Sequence, residues 1–233
     1  MKIYLDSASR EEIGEFSSRV DGITTNPTLM RKAGVGNFGR QDYAGWAVEL
    51  CAAFPSLPMS FEVVTDDMNE MIRQAELIHG WGPNVYVKIP VMNTSGDFTG
   101  RVIKRLSKAG VKVNVTAIMT REQVKAVIKA LDKNAKAILS IFAGRIADTM
   151  VDPQPTLRFA VKHTRMFRGF DVLWASPRQV LDIWRAENYG CDIITLSKNL
   201  IEKIHLKDRN LTDYSRETVE QFYKDATLSG YRL

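Results

Sequence analysis

Eight short apolar runs, each followed by a stretch with helical spacing, succeed one another from the first residues of the chain to about residue 205. The runs lie at 2–5, 22–24, 59–64, 85–89, 111–118, 135–142, 171–175 and 192–196. Several are nearly continuous in Val, Ile, Leu and Ala. That composition suits strands covered on both faces, as in a parallel sheet. Amphipathic stretches lie between them at 11–19, 27–33, 42–54, 67–79, 98–108, 121–131, 155–167, 177–187 and 198–204. Asn26 before Pro27 and Thr120 before Arg121 supply plausible N-terminal caps. The alternation predicts an α/β fold, a closed (β/α)8 TIM barrel over about residues 1–205. An open doubly wound sheet is the alternative.

No linker or low-complexity segment divides the 233 residues, so a single domain is expected. After the last barrel unit, Val219, Phe222, Tyr223 and Ala226 repeat at helical spacing. An additional C-terminal helix is expected at about 214–229, its apolar face docked on its own barrel or on a neighbour's.

The composition, 45% hydrophobic and 25% charged, is that of a globular chain able to bury a large core without staples. The two cysteines, Cys51 and Cys191, are far apart and outside any CxxC spacing. The opening MKIYLDSAS has no signal-peptide pattern, and no run approaches the ~18 apolar residues of a membrane span. Two reduced thiols in a cytoplasmic protein are therefore expected. A net charge of +5 and a pI near 9.2 favour anionic partners. Lys and Arg are interspersed with acids, without a basic run, which argues against nucleic acid as the primary partner. A phosphorylated metabolite satisfies the same charge with a few arginines.

Two motif matches fail their context. Gly34-Val35-Gly36-Asn37-Phe38-Gly39 spells GxGxxG but follows a helical stretch instead of ending a strand, so it reads as a helix-ending loop. Asn93-Thr94-Ser95 and Asn114-Val115-Thr116 spell glycosylation sequons, the second inside an interior strand.

In such a barrel, polar residues at the C-terminal ends of strands face a shared mouth, where catalysis is sought. That filter selects Asp6, Thr24, Thr25, Asn26, Glu62, Lys88, Asn114, Thr116, Ser140, Arg145, Ser176 and Arg178. Lys88 stands out because its strand, Val85-Tyr86-Val87-Lys88-Ile89-Pro90, is otherwise apolar or aromatic. Such a lysine either reaches water at a strand edge or is buried, where low dielectric disfavours the ammonium and leaves a nucleophilic amine. Asp6 and Glu62, bracketed by apolar residues, are acid/base candidates or structural carboxylates. Arg145, Ser176 and Arg178 suit a phosphate dianion, or are helix-surface residues. No His, Cys or carboxylate cluster has metal-ligand spacing, and no GxSxG supports a serine nucleophile. Neither metal nor cofactor is expected.

Four blocks carry a family resemblance: Gly22-Ile23-Thr24-Thr25-Asn26-Pro27-Thr28-Leu29, Val87-Lys88-Ile89-Pro90, Val113-Asn114-Val115-Thr116-Ala117 and Gly144-Arg145-Ile146-Ala147-Asp148. Together and in order they resemble the small bacterial and archaeal type of the transaldolase family, which includes the fructose-6-phosphate aldolases. The similarity runs from Met1 to at least Ile204. It implies a metal-free Schiff-base mechanism on a ketose phosphate with Lys88 as nucleophile and Asp6 as base. Glu62 and Thr116 would hold a water that moves protons. Thr24, Asn26, Asn114 and Ser140 would bind the sugar, and Arg145, Ser176 and Arg178 its phosphate. Glu62 and Phe142 follow the transaldolase pattern, where the aldolases carry Gln and Tyr. Transfer of a dihydroxyacetone unit is therefore favoured over its free release, with a catalytically silent binding barrel as a third reading. Members assemble as pentamers or decamers, so a homo-oligomer is implied. Ile141, Pro177 and the loop 92–97 depart from the family pattern, which leaves the donor and acceptor sugars open.

Overall fold

The computed structural model describes residues 1–36 and 42–231. Eight parallel strands close into a barrel in sequential order. They are β1 (Lys2–Asp6), β2 (Gly22–Thr24), β3 (Met59–Glu62), β4 (Val85–Pro90), β5 (Val113–Ile118), β6 (Ala137–Ile141), β7 (Phe170–Trp174) and β8 (Ile193–Leu196). The last closes on the first through Lys2↔Ile193 to Leu5↔Leu196. All eight apolar runs form strands, so the TIM barrel stands and the open sheet does not.

Helices follow the strands: α1 (Arg10–Phe16), α2 (Pro27–Lys32), α3 (Tyr43–Ala53), α4 (Met68–His79), α5 (Gly100–Lys108), α6 (Arg121–Ala130), α7 (Ala143–Asp148), α8 (Gln154–Thr164), α9 (Leu181–Tyr189) and α10 (Lys198–Glu202). A 3₁₀ turn, Lys203–Leu206, and α11 (Leu211–Ser229) complete the chain. Asn26 caps α2 by accepting from the Leu29 N–H, with Pro27 at its first position. Thr120 and Gln123 form a reciprocal capping box on α6. The GxGxxG stretch begins just past α2, with Gly34 at φ 74°, a left-handed conformation that glycine adopts without steric cost. Its Asn37, Phe38 and Gly39 lie outside the described residues.

Sequence and structure differ at two helices that flank the mouth. The six-residue α7 has no counterpart among the helical stretches expected from spacing, because it begins directly after an apolar run and is too short to show a period. Helix α9 begins at Leu181 instead of residue 177. Ser176 is in the left-handed region at φ 59°, and the Arg178 and Gln179 N–H groups turn to the Asp182 carboxylate at 2.8 and 3.2 Å. Those backbone donors go to a side chain, so the helix starts only after them.

The chain forms two compact units, Met1–Ile201 and Glu202–Leu233. In the first, Leu5, Ile23, Phe61, Val87, Val115, Leu139 and Val172 are fully buried on the outward face of their strands, under the helices. Residues of the opposite parity face the barrel interior. At one level Tyr4, Ile138, Leu173 and Ile193 pack with Ala175, Tyr86 and Phe142. Gly22 fits there because any side chain would meet the Tyr4 ring at 2.6 Å. In the second unit, α11 is capped by Asn210, and its Val219, Phe222 and Tyr223 are all exposed. Cys51 and Cys191 are free and buried. Among the described residues no helix is long and apolar enough to cross a membrane.

Candidate active site

The interior parity that places Tyr4, Gly22 and Tyr86 in the barrel core brings Asp6, Thr24 and Lys88 to its open end two residues later. Register then decides the neighbours. Asp6 pairs with Thr24, Glu62 with Lys88, and Lys88 with Asn114. A cavity of about 490 Å³ opens over them, at the strand C-termini.

Lys88 is 5% exposed, its amine held inside the mouth. Nζ lies 3.0 Å from Glu62 Oε2 and donates to the Thr25 carbonyl at 2.6 Å. The water-facing alternative for this lysine is thereby excluded. Glu62 is itself held at the end of β3, where its carbonyl accepts from the hydroxyl of the half-buried Tyr43 at 3.0 Å. Behind it the rings of Tyr43, Phe61 and Trp81 meet edge to face.

Asp6 accepts from the Thr24 hydroxyl at 2.8 Å. Burial raises its pKa above the usual carboxylate value, opposed by the Lys88 charge and the Thr24 bond and reinforced by Glu62. A carboxyl raised in this way can take up a proton from a bound hydroxyl and give it back. Beyond Asp6, Ser7 Oγ donates to Glu12 at 2.5 Å, and Ser9 caps α1, which fixes the chain leaving the strand.

A second polar chain crosses the floor. Ser140 Oγ donates to Asn114 Oδ1 at 2.7 Å, and Asn114 Nδ2 donates to Ser60 Oγ at 3.1 Å. Asn114 is fully buried and stands behind the cavity lining, while Ser140 forms part of that lining. Among the described residues none partners the buried Thr116 Oγ1, which also lines the mouth. The β5–β6 register shifts between Val115 and Ile118, and Ala117 there takes φ 61°. Such a bulge re-aims the side chains at a strand end.

On the far side Arg145, carried by α7, stacks its guanidinium 5.6 Å from the Phe142 ring. Phe142, Arg145 and Ser176 all line the mouth, as does Asn26. Gly144 lets this corner close up, because a Cβ there would fall 1.5 Å from the Ser176 carbonyl oxygen. Arg178 differs. It makes a two-pronged ion pair with Asp148 and lines a neighbouring cavity. Thr25 is fully buried and turns its hydroxyl to the Ser60 carbonyl at 2.9 Å. Of the residues selected from the sequence, then, Thr25, Asn114 and Arg178 do not line the mouth directly, and the others do. Sequence reasoning missed Ser60 and Thr195. Both sit at inward positions of their strands, Ser60 two before Glu62 and Thr195 two after Ile193, so period-two alternation could have found them.

A family model described as transaldolase/fructose-6-phosphate aldolase matches residues 3–230. The chain belongs to that family. Among its relatives is a probable transaldolase of Dehalococcoides mccartyi, 34% identical over 91% of this chain and 93% of that protein. Another, from Syntrophobacter fumaroxidans, is 32% identical over 97% of this chain and 96% of its own length. Among solved structures, a 3-hexulose-6-phosphate synthase is similar at a TM-score of 0.58 and 17% identity, covering 84% of this chain and 90% of that one. KGPDC of Streptococcus mutans is similar at a TM-score of 0.57 and 13% identity, covering 85% of this chain and 88% of that one. At such identities the structural likeness shows the fold alone. The family membership rests on the sequence match.

Proposed function

We propose that the protein is a transaldolase, moving a dihydroxyacetone unit from a ketose phosphate to an aldose phosphate through a Schiff base on Lys88. One observation carries this reading: a buried amine at the base of the mouth, 3.0 Å from a carboxylate and within the field of a second, proton-accepting one. The names of the relatives, probable transaldolases, favour the same activity.

The amine of Lys88 attacks the C2 carbonyl, and loss of water leaves a protonated imine. Glu62 and Thr116 hold the water that carries protons during this exchange. Asp6 takes the proton of the C4 hydroxyl as the C3–C4 bond breaks. The bond's electron pair flows into the imine, which becomes an enamine, and the aldose phosphate leaves. An acceptor aldehyde then receives a new bond from the enamine carbon, Asp6 returns its proton to the new hydroxyl, and water releases the product from Lys88. Lys88 and Thr24 are buried at the base of the mouth, where the lowered dielectric strengthens such contacts. Asn26 and Ser140 bind the hydroxyls of the three-carbon unit, with Thr24 beside them and Asn114 acting from behind the lining through its bond to Ser140. Arg145 and Ser176 bind the phosphate, or another anion such as a sulfonate, and Arg178 joins them on release from Asp148. The exposed Val219, Phe222 and Tyr223 of α11 support assembly of a homo-oligomer.

The experiment is borohydride trapping with peptide mapping, on fructose 6-phosphate with and without erythrose 4-phosphate. A reduced adduct on Lys88, with turnover that requires the acceptor, is expected. Appreciable release of dihydroxyacetone without acceptor supports the aldolase instead, for which the shared family is the specific reason. No adduct with any ketose phosphate marks a silent barrel.

A further inference from the structure

The hydroxyl of Thr195 heads a hydrogen-bond chain that ends on Asp6. Thr24 Oγ1 lies 2.8 Å from Asp6 Oδ1 and 2.6 Å from Thr195 Oγ1. Both threonines are buried, and β2 and β8 flank β1 on its two sides, so the contact between them spans the interior face of β1. A threonine hydroxyl has one proton. When Thr24 gives its proton to an ionised Asp6, the short contact to Thr195 is completed only by the proton of Thr195. Donation into the Thr24 oxygen polarises its O–H and strengthens the bond that the carboxylate receives. When Oδ1 carries the proton, both bonds reverse and the Thr195 oxygen becomes the last acceptor. The chain can therefore hold Asp6 in one place in either protonation state.

We propose that Thr195 is a positioning residue for Asp6, acting through Thr24 to keep Oδ1 engaged and leave Oδ2 to the substrate. The proposal rests on the reading of Asp6 as the base in carbon–carbon cleavage. The charged groups that share the mouth with Asp6 are Glu62 from β3, Lys88 from β4 and Arg145 from α7. A substitution at Thr195 changes none of them, so its effect on proton transfer reports the hydroxyl chain alone.

Thr195→Val keeps the shape and removes the donor, and Thr195→Ser restores it. Two measurements separate the outcomes. The yield of borohydride-trapped adduct with dihydroxyacetone reports Lys88 without carbon–carbon cleavage. The pH profile of conversion of fructose 6-phosphate with erythrose 4-phosphate reports Asp6. For the valine variant we expect wild-type adduct yield, a KM within about twofold of wild type, and a kcat about tenfold lower. Its acidic limb moves up by about half a pH unit, because an anion that loses donor strength is harder to form. The serine variant returns both to wild type. Where valine does not fold, Thr195→Cys, a weaker donor of similar size, carries the test, with a shift in the same direction expected. An unshifted profile with unchanged kcat overturns the proposal. So does an equal loss in the serine and valine variants, or a parallel fall in adduct yield, since either means that Thr195 only packs. Failure of the wild-type enzyme to form any adduct would remove the reading of the site itself, and this inference with it.

Discussion

Lys88 and Glu62 are register partners on adjacent strands, and their side chains meet, Nζ to Oε2, at 3.0 Å inside the barrel mouth. The pairing follows from geometry. Parallel strands with matched interior parity place the two side chains level, on the same face, one strand apart. With the Thr25 carbonyl as the amine's second acceptor, the nitrogen is fixed where a carbonyl carbon can reach it.

Lys88→Met should abolish turnover and adduct formation while keeping the fold, because Met fills the same volume without the amine. Residual activity should fall below about a thousandth of wild type. Removing one partner leaves Glu62 and the Thr25 carbonyl unpaired, so stability should drop by about 1–3 kcal/mol, read by chemical denaturation. Retained turnover would sink Lys88 as nucleophile.

Asp6→Asn should cost activity and gain stability. Loss of the base should lower kcat by about 10²–10⁴-fold. Burial raises the pKa of Asp6, so its ionised form is disfavoured in the folded state. The folded state therefore gains stability as pH falls through the raised value toward the ordinary 3.8, and loses it as pH rises. The asparagine variant should melt higher than wild type at neutral pH, with the gap closing below about pH 4. A variant less stable at every pH would show that the Lys88 attraction outweighs desolvation.

Arg145→Ala and Arg178→Ala should differ. Arg145 lines the mouth, whereas Arg178 is engaged by Asp148. The first substitution should raise KM for a phosphorylated substrate by about tenfold or more, the second by less. Asp148→Asn should release Arg178 and lower that KM. The ion pair is half exposed, so the loss of stability should stay within about 1 kcal/mol. Equal KM effects at both arginines would mean that they share the anion equally.

Gly144→Ala should disrupt the mouth, since its methyl group would overlap the Ser176 carbonyl. Overpacking of this kind costs about 1–3 kcal/mol. A melting point lower by several degrees, with phosphate-dependent KM raised more than adduct yield is lowered, is the expected pattern. An unchanged melting point would mean that α7 and the loop after β7 can move apart freely.

The chain's own letters specified the barrel. Continuous Val, Ile and Leu runs bury two faces, alternate with amphipathic stretches and leave few other architectures, so all eight strands were legible, and so was the cap at Asn26. Lys88 was legible as an anomaly, a charge within an apolar strand. Whether its amine turned outward or inward was not, because that depends on Glu62 and Thr25, which lie on other strands or just past them. The six-residue α7 and the late start of α9 were equally hidden, since a short helix shows no period and the Asp182 carboxylate that captures two backbone N–H groups acts across a turn. Thr195 and Arg178 show the same division. Their types and positions are in the sequence, but only barrel closure sets the hydroxyl of β8 against that of β2, and only the approach of α7 gives Arg178 to Asp148. Local propensity and periodicity are properties of neighbouring residues. Partners separated by tens of residues are chosen by register and closure, which exist only once the chain has folded.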